Sequence, residues 1–100
     1  MAKPKIKIPK QSLETFCRKY QVQRLAVFGS VLRDDFNPNS DVDILVVFDP
    51  SAQVTFMKLG QMKRELSAIL QRPVDIIPQD GLKPAIRKEV LESAQVVYAA

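Results

Sequence analysis

The chain contains no histidine and a single cysteine, and each shortage removes a class of chemistry. Cys17 has no partner for an internal disulfide, and a zinc site built from cysteine and histidine is excluded. Without histidine, acid–base work falls to carboxylates or lysines. A bound metal would have to be held by oxygen, which selects magnesium, manganese or calcium. Long apolar runs are missing too: the longest, Ile44 to Phe48, is far too short to cross a bilayer. Met1 to Lys10 carries four lysines and two prolines and lacks the apolar core of a secretory leader, so a cytoplasmic protein without membrane contact is expected.

What remains is ordinary for one globular domain: 100 residues, 46% hydrophobic and 26% charged. The net charge of +4 favours polyanionic partners, whether a triphosphate, a nucleic acid or an acidic protein surface, without choosing among them. Residues 1–10 read as a basic, proline-punctuated arm, more simply a solubilising tail than a nucleic-acid grip, and residues 11–100 as the domain.

Along the domain, Leu13, Phe16, Cys17 and Tyr20 fall at i, i+3, i+4 and i+7, one apolar stripe of a short helix. Cys17 in that stripe reads as core rather than reactive. Leu25 to Phe28 predicts a strand stopped by a turn at Gly29-Ser30. Asn37-Pro38-Asn39-Ser40 marks a loop. Ile44 to Phe48 suits a central strand covered on both faces. Phe56, Leu59, Met62, Leu66 and Ile69 predict a helix of about four turns ended by Pro73, with Lys58, Lys63 and Arg64 on its wet face. Val74 to Ile77 predicts another strand. Asp80 is the expected N-cap of a last helix, with Ile86, Val90 and Leu91 on its buried side. Val96 to Tyr98 predicts an edge strand, with Tyr98 as packing. The order predicts a small α/β (α+β) fold, a mixed sheet with helices packed against it.

Three aspartates stand out. Asp41 and Asp43, two apart at the start of a strand, point to one face. A helical crossover favours parallel neighbours, which places Asp75, near the start of its own strand, beside that pair. Leu25–Phe28 can run antiparallel to the Asp41 strand and deliver Gly29 and Ser30 to the same rim. Clustered carboxylates repel unless a cation joins them, so this pattern makes sense as a metal site. Gly29 lets the backbone approach a phosphate and Ser30 can donate a hydrogen bond to it. Arg33 divides evenly between a phosphate contact and an exposed charge.

Gly29-Ser30, ten residues, then Asp41-Val42-Asp43 resembles the signature of the polymerase-β-like nucleotidyltransferase superfamily. Four specified positions at fixed spacing recur by chance on the order of once per thousand chains of this length. FGSVLRDDFNPNSDVDILVVF and RPVDIIPQDGLKPAIRKEVLESAQVVY are similar to the minimal nucleotidyltransferase (MNT) group, with Asp75 at the third-carboxylate position, over residues 12 to 98. The resemblance implies a palm-like fold and transfer of a nucleoside monophosphate, AMP from ATP, to an acceptor hydroxyl. It implies two magnesium ions, or manganese in their place, held by Asp41, Asp43 and Asp75, with Gly29 and Ser30 anchoring phosphates. It further implies a HEPN-like helical ribonuclease toxin as partner, neutralised by AMP attached to a tyrosine. The alternatives are a catalytically silent antitoxin acting by occlusion, and a transferase to a small-molecule or RNA hydroxyl. Nucleic acid is not the expected partner, and a homo- or hetero-oligomer is left open.

Overall fold

The computed structural model describes residues 8–29 and 41–100, so most of the basic arm, Ser30 and Arg33 lie outside the described residues. The chain runs α1 (Lys10–Lys19), β1 (Val22–Phe28), β2 (Val42–Phe48), α2 (Phe56–Leu70) and β3 (Val74–Pro78). A 3-10 turn (Gln79–Gly81), α3 (Pro84–Ser93) and β4 (Gln95–Ala99) complete it. The strands form one mixed sheet in the order β3-β2-β1-β4. The expected alternation of helices and strands is borne out, with β4 at an edge.

One face of the sheet carries the main core. Leu13, Phe16, Cys17 and Tyr20 from the α1 end pack with Met62, Leu66 and Leu70 of α2. Their floor is Val27, Val42, Ile44, Val46 and Val74. The stripe read at i, i+3, i+4 and i+7 is therefore the buried one, and burial pushes the Cys17 thiol up to about 12, which keeps it inert. Thr55 caps α2 by accepting a hydrogen bond from the Lys58 amide.

The opposite face carries a smaller cluster of Ala26, Leu45 and Leu82, joined by Phe28, Ile77, Val90 and Ala94. Here two expectations fail. Asp80 lies inside the 3-10 turn, and α3 starts four residues later with Pro84 in its first turn and Lys83 as an extended N-cap. Proline forces the residue before it out of helical conformation, so the helix cannot start earlier. Nor is Ile86 or Leu91 buried: they are 45% and 39% exposed. Leu82, from the loop, packs with Ala26 and Leu45, and Val90 of α3 and its C-cap Ala94 join that cluster. Phe56, expected on the inner side of α2, stands 94% exposed at its first residue.

Candidate functional site

The rim where three strand ends meet is built by register. β2 and β3 run parallel, with Val42 opposite Val74, Asp43 opposite Asp75 and Ile44 opposite Ile76. The Val42 amide donates to the Pro73 carbonyl at 2.9 Å, which carries the pairing to the very start of both strands. β1 runs antiparallel to β2 and pairs Phe28 with Asp43, so its end arrives at the same rim. Because Val42, Ile44, Val74 and Ile76 face the main core, the alternating Asp43 and Asp75 project from the other face. Asp41, two residues before Asp43 and exposed, precedes the same strand.

Gly29 closes the arrangement from the β1 side. Its φ is +78°, in the left-handed region, and an added Cβ would overlap the Asp43 carboxylate, lying 3.3 Å even from its Cγ. Any side chain here would displace Asp43, so glycine is required both by backbone conformation and by space. The turn brings backbone next to a carboxylate, the geometry expected where a phosphate and its counter-ion share a site.

One participant was not foreseen. Lys63 of α2, read from the sequence as part of a wet helix face, places Nζ 3.4 Å from Asp75 Oδ1. β3 is an edge strand, which lets a lysine from the helix side reach the carboxylate. The signal in the sequence is positional: Lys63 flanks the buried stripe of Met62 and Leu66, at the border nearest β3 rather than at its solvent pole.

The donor set suits a hard cation, being carboxylate oxygens alone on adjacent strands about 4.8 Å apart. Among the described residues no group of three acidic, histidine or cysteine side chains forms a ready-made metal cage. Magnesium habitually takes only one or two carboxylates and fills its octahedron from substrate phosphates and water, so Asp43 with Asp75 or Asp41 fits that habit.

A groove between α1 and α2, lined by Lys19, Tyr20, Lys58, Arg64 and Glu65, lies on the helical face and away from the rim. Within it the Tyr20 hydroxyl donates to Glu65, and Lys19 Nζ stands 3.0 Å from the same carboxylate. These bonds tie α1 to α2. No described helix is long and apolar enough to cross a membrane.

Residues 9–97 match the family model of the nucleotidyltransferase domain. The chain is 36% identical over 80 residues to protein adenylyltransferase MntA of Thermococcus cleftensis, covering 80% of this chain and 77% of that one. A solved structure described as a candidate minimal nucleotidyltransferase is 32% identical, with a TM-score of 0.70 over 86% of each chain. A chain of the Shewanella oneidensis complex between an MNT antitoxin and a tri-AMPylated HEPN toxin superposes with a TM-score of 0.65. At 16% identity, over 91% of this chain and 70% of that one, this last likeness is one of fold.

Proposed function

This chain belongs to the nucleotidyltransferase domain family, in its minimal group, and is a nucleotidyltransferase; from that premise we propose that it transfers AMP from ATP to a hydroxyl of a protein partner. The partner we propose is a helical HEPN-type ribonuclease toxin that the modification silences. The observation that carries the reading is the side-by-side placement of Asp43 and Asp75 at a rim closed by Gly29. The relatives supply the chemistry: one is named a protein adenylyltransferase, and another fold neighbour is a complex containing an AMPylated toxin.

In this reading Asp41, Asp43 and Asp75 would share the holding of magnesium, which would neutralise phosphate charge and ease ionisation of a hydroxyl. Gly29 brings main-chain groups against the phosphates, helped by Ser30 and, in the same role, Arg33. Asp75 receives the proton of the acceptor hydroxyl at its carboxylate. The hydroxyl oxygen then bonds to the α-phosphorus as the bond to pyrophosphate breaks. Catalysis of this kind is positioning and charge neutralisation, which a small rigid sheet edge can provide.

The test is incubation of the chain and its neighbouring gene product with ATP labelled at the α-phosphate, with and without magnesium. The reading expects label on the partner, only with magnesium. A tight complex without label would replace it with neutralisation by occlusion, and label on RNA or a small molecule with no partner present would replace the acceptor.

A further inference from the structure

Asp43 and Asp75 stand in register on adjacent strands, with Asp41 two residues before Asp43, and like charges so placed favour a cation nearby. Lys63 brings a positive charge to one of them. Lys63 Nζ lies 3.4 Å from Asp75 Oδ1, and both side chains are about half exposed, at 54% and 49%. Its neighbours Met62 and Leu66 are fully buried, so the helix beneath Lys63 is fixed while the lysine stem is not. Lys58, one turn and a half earlier on α2, is committed elsewhere, donating to the Gln53 carbonyl at 3.1 Å.

We infer that Lys63 is a positioning residue: it occupies Asp75 while no divalent cation is bound and is displaced from it when one arrives. This rests on the reading of the rim as a metal site. The magnitudes favour displacement over a permanent clamp. An exposed pair at this distance contributes little to stability and is easily broken. A divalent ion carries twice the charge and binds several oxygens at once. A fixed positive charge within several ångströms of that ion repels it, so the lysine lowers metal affinity and thereby couples the ordering of Asp75 to metal arrival.

The test is Mn2+ binding followed by water-proton relaxation on the full chain, without nucleotide or turnover. Lys63→Met should bind Mn2+ about threefold to tenfold more tightly than the wild type. Lys63→Arg, which keeps the charge, should stay within about twofold of wild type, as should Lys58→Met. Tighter binding confined to Lys63→Met supports the inference. Unchanged or weaker binding by Lys63→Met overturns it, as does equal tightening by Lys63→Arg or Lys58→Met. The site reading fails separately: if Asp75→Asn and Asp43→Asn bind Mn2+ as well as wild type, or wild type binds none, the rim is no metal site and this inference falls with it.

Discussion

Asp43 and Asp75 are register partners across the parallel pairing of β2 and β3, so two carboxylates start from neighbouring positions on one face of the sheet. We propose that these residues, with Asp41 preceding them, hold a cation that offsets the repulsion of like charges. Replacing both Asp41 and Asp43 by asparagine should therefore abolish nucleotidyl transfer while leaving the fold intact. In urea denaturation with chelator present, the double variant should equal the wild type or exceed it by up to about 1 kcal/mol. Retained transfer by this variant would contradict the assignment of both residues.

Gly29 makes the opposite prediction for stability. At φ +78°, with the Asp43 carboxylate where a β-carbon would stand, Gly29→Ala must strain the turn and push the aspartate aside. A loss of about 1–3 kcal/mol in chemical denaturation is expected, together with loss of transfer. An alanine variant as stable and active as the wild type would show that the turn does not constrain Asp43.

The tie between α1 and α2 should be visible in the pH dependence of stability. The Tyr20 hydroxyl, followed by Lys19, holds the Glu65 carboxyl below its ordinary value of 4.5. The same bond, with burial, raises Tyr20 above its ordinary 10.0. A lowered carboxyl contributes stability above 4.5 that disappears as pH falls through its folded value; a raised phenol contributes below 10.0 and loses it as pH climbs through its own. Tyr20→Phe should cost about 1 kcal/mol near neutral pH, kept small because Glu65 is partly exposed. The difference from wild type should shrink below pH 4 and above pH 10. Denaturation midpoints of the two proteins across pH 3–11 would show this, and a constant difference would refute it.

Much of the architecture could be read from residue order. The α1 stripe was legible because four apolar residues at helical spacing admit one buried face. The meeting of Asp43 and Asp75 followed from two facts, a helical crossover between their strands and their equal distance from each strand start. Periodicity, however, reports which side of an element is apolar and not what covers it. Ile86 stands one helical turn before Val90 on α3, yet it is exposed, and Leu82 from the preceding turn packs with Leu45. The same limit hid Lys63, whose contact depends on β3 being an edge strand, a property of sheet order rather than of local sequence. Asp80 misled because it is a good cap residue, while Pro84 dictates where the helix can begin.

One backbone strain offers a stabilising change far from the chemistry. Gln71 ends α2 at φ +56°, in the left-handed region that non-glycine residues enter at a cost. Gln71 is exposed, so its side chain has little packing to lose. Gln71→Gly should raise stability by about 0.5–1 kcal/mol, read as a higher urea midpoint with unchanged transfer. A lower midpoint would mean that the glutamine side chain compensates the strain.

Paramagnetic mapping tests the central claim most directly. Substoichiometric Mn2+ added to the isotopically labelled chain should broaden the amide signals of Gly29, Val42 to Ile44 and Val74 to Ile76 first. Signals at the far end of the same strands, Phe48 and Asp49, and at the start of α2 should persist. Broadening centred at that far end, or spread evenly over the surface, would contradict a metal site at the rim shared by Asp41, Asp43 and Asp75.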